Sequence, residues 1–183
     1  MAAPEYALHG DLNLVVTGYV EPNRPRLSRQ LAQRLGLDLI DVERDLEERL
    51  GDNIENIRAT YGDRRLRTVE SEIMDEVVLH RRGLIRVSGH TVLTCGRLAE
   101  LQRNGVIICL VASLDSILRR IHLMLGGRYH DPGERARAIG ELQREWKIRQ
   151  VADVVEFDAT YVSEAVLIER IVVFWQDLAL RRA

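Results

Sequence analysis

Residues 13–36 read NLVVTGYVEPNRPRLSRQLAQRLG. Leu14, Val15 and Val16 make a short apolar run that reaches Gly18 one residue after Thr17. Leu27, Leu31 and Leu35 then recur four residues apart, the spacing of one helix face. A strand that passes through a glycine-led turn into a helix is half of a βαβ unit. It sets the expectation that strands and helices alternate along the chain.

They do. Strand-like apolar runs fall at 12–17, 38–41, 84–88, 106–111 and 154–157. Four of them are rich in β-branched residues and lack polar alternation, as expected of strands covered on both faces. Helical patterns lie between and after them at 27–35, 42–50, 54–61, 66–79, 95–103, 114–125, 134–150 and 163–180. The expected fold is α/β: a parallel sheet with helices on both faces. Right-handed crossovers would gather the strand C-termini on one edge, where ligands of such sheets bind. The loops at that edge are 18–26, 41–43, 88–91, 112–115 and the segment after Phe157. A glycine-rich stretch at 124–135, MLGGRYHDPGER, is expected to break any helix and act as a lid. The chain reads as a single domain with its core at about 12–180 and a mobile lid at about 124–134.

Composition narrows the classes. With 183 residues and 46% hydrophobic content, the chain has enough length for one substantial core. A net charge of −2 carries no footprint for nucleic acid or a membrane surface. The opening MAAPEYALHGDLN has neither a basic start nor an apolar run, so no secretory leader is expected. Cys95 and Cys109 show no metal-ligand spacing and are expected to be reduced and inert, which suits a cytoplasmic location.

The turn after the first strand has the frame of a phosphate-binding loop, G-x-x-x-x-G-K-[ST], without its chemistry. In such loops the glycines let backbone amides curl around phosphate, the lysine meets the β and γ oxygens, and the hydroxyl holds Mg²⁺. Here the interval reads Gly18-Tyr19-Val20-Glu21-Pro22-Asn23-Arg24-Pro25. Pro25 lacks an amide donor, and Glu21 and Asn23 bring side chains where backbone must approach a ligand closely. A carboxylate about 4 Å from a phosphate charge costs on the order of 4 kcal/mol at an effective dielectric near 20. Arg24 offers a bidentate donor, but one guanidinium does not rebuild a cradle of amides.

The order of motifs resembles the shikimate kinases, small kinases that use ATP to phosphorylate a hydroxyl of shikimate. The resemblance covers roughly residues 12–180. The family's G-F-M-G-x-G-K-[ST] falls on residues 18–25, with Arg24 at the lysine position and Pro25 and Arg26 at the hydroxyl positions. Its R-L-G-x-x-F-x-D-x-D falls on residues 34–43, with Glu43 for the final aspartate. Its G-E-x-x-F-R-x-x-E falls on residues 62–70, which keep Arg67 and Glu70. The glycine triplet after the third strand is reduced to Ser88-Gly89-His90. Arg128 matches the lid arginine, and Arg144 the arginine of the late helix.

The resemblance implies a five-stranded parallel sheet in the order 2-3-1-4-5. It also assigns roles. Glu43 and Arg24 stand at catalytic positions, and Gly18, Arg24, Arg26 and Arg128 at positions for the nucleotide. Asp41 stands at the metal position, and Glu43, Arg67, Glu70, Gly89 and Arg144 at positions for the acceptor. Arg67 and Glu70, three apart, also read as an ordinary surface pair on a helix, and His90 as a capping or packing residue.

The expected function is a pseudoenzyme or metabolite-binding module: a degraded phosphate loop with weak or no Mg-ATP binding, and a pocket for a small anionic, shikimate-like hydroxy acid. The alternative is an active phosphotransferase using Mg-ATP through an altered loop. A structural subunit is a third possibility. No nucleic acid or membrane is expected as partner, whereas a homo-oligomer or another protein is compatible with the apolar tail ERIVVFWQDLALRRA.

Overall fold

The computed structural model describes residues 11–18 and 24–182. Glu21, Pro22 and Asn23 lie outside the described residues, and so do the side chains of Arg24 and Arg128. Among the described residues, five strands form one parallel sheet: β1 (Asn13–Thr17), β2 (Asp38–Asp41), β3 (Gly83–Arg86), β4 (Gly105–Val111) and β5 (Val155–Asp158). Their order is β2-β3-β1-β4-β5, which is the expected topology.

The strand sequences explain the order of burial. Every residue of β1 is buried at the centre of the sheet, whereas edge strand β5 alternates half-buried and exposed positions. Because side chains alternate across a strand, β1 feeds two cores. Leu14 and Val16 pack on one face with Leu27 and Leu31 of α1 (Arg24–Leu35) and Ile168, Ile171 and Trp175 of α8 (Glu164–Arg182). Val15 packs on the other face with Val42 and Leu46 of α2 (Val42–Leu50) and Ile73, Met74 and Val77 of α3 (Ile54–Val77). In β4, Ile108 and Leu110 join the first core and Ile107 and Cys109 the second. Each such fully buried Leu or Ile stabilises the fold by roughly 2 kcal/mol. The tail helix α8 thus docks on the sheet through Ile171, Val172 and Trp175.

Helix boundaries follow the capping chemistry. Asp41 ends β2 and caps α2, its carboxylate accepting from the Arg44 amide at 3.3 Å, and Gly51 ends that helix in the left-handed conformation with φ 75°. Several boundaries depart from expectation. The helices expected at 54–61 and 66–79 are joined into α3, which breaks internally at Gly62, with φ 74° and ψ 172°. Residues 88–91, expected as a loop, instead open α4 (Gly89–Thr94), because Ser88 caps it and Val92 is buried. α5 (Leu98–Asn104) starts later than expected, and α6 (Leu114–Leu125) has the expected bounds.

The glycine-rich segment is also more regular than expected. Gly126–His130 is a 3₁₀ turn, and α7 (Pro132–Glu145) begins inside the stretch. Pro132 and Gly133 start that helix rather than break it. Asp131 caps it, accepting from the Gly133 and Glu134 amides at 2.7 and 3.1 Å, and a proline in the first turn loses no hydrogen bond. A second 3₁₀ turn, Trp146–Gln150, follows α7 and leads to β5.

Candidate functional site

The strand C-termini of β1, β2 and β3 meet at one edge, and two charged side chains organise it. The first is Arg86, the last residue of β3. The parallel register sets it beside Asp41, the last residue of β2. Its guanidinium donates to Asp41 Oδ1 and Glu43 Oε2, each at 2.5 Å. The Arg86 side chain is only 10% exposed, Asp41 13% and Glu43 29%. Its Nε is buried and has no hydrogen-bond partner among the described residues.

The second is Glu145, the last residue of α7 and 5% exposed. Its Oε1 accepts from the amides of Gly89 at 2.9 Å and Gly18 at 3.4 Å, and its Oε2 from the His90 amide at 3.3 Å. One carboxylate therefore ties the end of β1, the start of α4 and the end of α7 together. Gly18, with φ 101°, has no space for a side chain, which would run into Cys109 and the Leu110 backbone.

Beside these groups lies a cavity of about 280 Å³. Val42, Leu46 and Ile54 give it apolar surface, and Glu43, Arg86, Glu70, His90, Thr91, Arg58, Glu141 and Arg144 give it polar surface. Burial pushes the Glu70 carboxyl up, and the charge of His90 and a hydrogen bond from Thr91 Oγ1 at 3.4 Å partly oppose that. Arg58 spans the mouth from α3, reaching Asp63 at 3.0 Å and Glu141 of α7 at 3.5 Å. Arg144 donates to the Gly140 carbonyl at 3.3 Å and makes no ion pair among the described residues.

The expected site residues are placed unevenly. Glu43, Glu70 and Arg144 line the cavity together. Asp41 lies behind Arg86, and Gly89 is buried beneath Glu145 and Ile148 rather than on the cavity wall. Arg67 is exposed on α3, outside the cavity lining, and makes no hydrogen bond or ion pair with Glu70 among the described residues. Arg26 is exposed on α1 and pairs with Glu164 at 3.3 Å. Gly18 keeps its place at the end of β1, but its amide is directed to Glu145.

Sequence reading missed Arg58, Arg86, Glu141 and Glu145. Arg86 left one signal, a charge closing the apolar run Gly83–Arg86 at the ligand edge. The others are charged residues on amphipathic helices and left none.

The resemblance implies Mg-ATP, with the metal at Asp41. The residues as arranged do not fit a metal ion there. Asp41 is held by Arg86 and the Arg44 amide, and among the described residues no group of three His, Cys, Asp or Glu could hold a metal. No described helix is long and apolar enough to cross a membrane.

The shikimate kinase family model matches residues 26–174. A curated shikimate kinase of Thermodesulfovibrio yellowstonii is 28% identical over 144 residues, 77% of this chain and 82% of that protein. One of Caldicellulosiruptor bescii is 29% identical over 109 residues, 60% of this chain and 63% of that protein. The solved structure of shikimate kinase from Acinetobacter baumannii in complex with shikimate superposes with TM-score 0.73 at 18% identity, covering 95% of this chain and 98% of that one. At that identity the likeness shows the fold.

Proposed function

The chain belongs to the shikimate kinase family, and on that premise we propose that it is a metabolite-binding member without ordinary ATP-dependent turnover. The ligand is a small anionic hydroxy acid of the shikimate type, bound in the cavity beside Glu43, Glu70 and Arg144. One observation carries this reading. Of the arginines lining the cavity, Arg58 and Arg86 already face carboxylates of the chain, whereas Arg144 meets, among the described residues, only the Gly140 carbonyl. A ligand carboxylate therefore has one guanidinium to meet, and such pairs are charge-assisted and geometrically specific. Support for lost turnover comes from the loop sequence, where Glu21, Asn23 and Pro25 replace two glycines and a hydroxyl residue.

The second reading, phosphoryl transfer from Mg-ATP to a hydroxyl of shikimate or a related molecule, draws on family membership and on Arg24 opening α1 at the lysine position. Calorimetry of the intact protein separates the two. Shikimate is expected to bind without nucleotide, Mg-ATP to give no heat, and a coupled assay to detect no ADP. Ligand at about 100 times its dissociation constant adds roughly 2.7 kcal/mol of stability, so a thermal-shift series is an independent check. Failure of shikimate to bind removes the first reading, and ADP release establishes the second.

A further inference from the structure

We propose that Arg86 is a built-in cation that stands between Asp41 and Glu43 in place of a divalent metal and keeps metal out of that carboxylate pair. The geometry is the argument. Two carboxylates, one ending β2 and one in the first turn of α2, converge on a single guanidinium at 2.5 Å each. A hard divalent cation needs those same oxygens at a shorter radius and with additional oxygen ligands. To enter, it must take both carboxylates from Arg86.

Displacement is costly on the arginine's side. Arg86 is 8% exposed, and it is anchored by the strand register that aligns it with Asp41. A guanidinium cannot shed its charge, so losing both partners would leave an uncompensated buried cation. Both terminal nitrogens of Arg86 are engaged by the carboxylates, while its buried Nε has no hydrogen-bond partner among the described residues. The residue is held for its two carboxylates. Arg86 thereby compensates the carboxylate pair with a charge that no change in metal concentration removes.

The test uses Mn²⁺ as the probe, read by the loss of its free paramagnetic resonance signal on the intact protein. The parent and Asp41→Asn are expected to bind Mn²⁺ equally weakly. Arg86→Ala is expected to gain a site tighter than the parent's by more than about tenfold, and Asp41→Asn added to it should abolish the gain. A parent affinity that falls tenfold or more in Asp41→Asn overturns the proposal, because metal then already reaches the pair. So does an Arg86→Ala protein that is folded by circular dichroism and gains nothing. Should Arg86→Ala not fold alone, the parent comparison still decides, and Arg86→Gln carries the gain-of-site arm. Shikimate is not part of the measurement, so its outcome leaves the reading of Arg144 to stand or fall separately.

Discussion

The Gly89 amide donates to the Glu145 carboxylate at 2.9 Å, and the backbone of the same glutamate closes over the glycine. A Cβ added at Gly89 would stand 2.5 Å from the Glu145 carbonyl oxygen and 3.0 Å from Ile148 Cγ2. The close approach that glycine permits here is used by the chain itself. Gly89→Ala is therefore expected to destabilise by overpacking, by about 1–3 kcal/mol, with the start of α4 and the Trp146–Gln150 turn pushed apart. Urea unfolding measures it. A change below about 0.5 kcal/mol would show that the contact yields freely.

Glu145→Ala should cost more. It removes the acceptor of three amides, those of Gly18, Gly89 and His90, at a place where the carboxylate is 5% exposed. Hydrogen bonds to a charged acceptor contribute about 1.5–3 kcal/mol each, and the losses are not additive, so a total near 3 kcal/mol is expected. Glu145→Gln keeps one acceptor oxygen and should lose roughly half as much. Equal effects of the two substitutions would place the glutamate's role in its charge and second acceptor oxygen, since Gln keeps the shape. A Glu145→Gln protein as stable as the parent would place it in packing.

How far these relationships were legible depends on their range in sequence. The strands were readable because an apolar run is a local signal, and β2 (Asp38–Asp41) and α2 (Val42–Leu50) fall on the expected bounds. Their order in the sheet came only with the family resemblance. The charged contacts were not readable. Arg86 meets groups 45 and 43 residues away, and Glu145 meets Gly18 across 127 residues, distances over which one sequence carries no pairing information. Helical spacing gave Arg67 and Glu70 one broad face, but residues three apart are turned by about 60° from one another. In the structure that turn leaves Glu70 on the cavity and Arg67 in solvent. Arg58, on the other side of the break at Gly62, reaches the cavity instead.

Glu70 gives a pH dependence with a definite sign. Burial raises its carboxyl above the ordinary value of 4.5, so the folded state holds the proton more tightly than the unfolded chain. Stability from this group is full below that value and is lost as pH rises through the raised one. Glu70→Gln removes the ionisation while keeping an acceptor for Thr91. Its melting temperature should exceed the parent's at neutral pH, and the difference should shrink to nothing at or below pH 4.5. Asp45 shifts in the same direction but is present in both proteins, so it cancels in the comparison. A difference that grows toward acid would mean that Glu70 is stabilised as an anion.

Cys109 should be chemically silent in the folded protein. It is fully buried in β4, and burial pushes its thiol up to about 11. Thiolate is the reactive form, so an aromatic disulfide reagent at neutral pH should titrate Cys109 only after denaturation. Cys95, half-buried at the end of α4 and also shifted upward by burial, should react slowly and first. Two rapid equivalents from native protein would contradict the packing of β4.

The two arginines at acceptor positions provide the sharpest comparison. Arg144 lines the cavity with its guanidinium bound, among the described residues, only to the Gly140 carbonyl, while Arg67 is exposed and lies outside the lining. If a ligand carboxylate is held where the cavity is, Arg144→Ala should weaken shikimate binding by more than about tenfold, the loss of one charge-assisted contact. Arg67→Ala should weaken it distinctly less. Neither side chain is core, so both variants should melt within about 2 °C of the parent, which keeps the binding comparison free of folding effects. Arg144→Lys adds a geometric control, because a compact ammonium keeps the charge but loses the planar two-pronged contact, and its affinity should fall between parent and Ala. The reverse ranking, with Arg67→Ala the more damaging, would mean that α3 turns about its break at Gly62 when ligand binds. The acceptor site would then be assembled by the ligand rather than standing open as the cavity between Glu43 and Arg144.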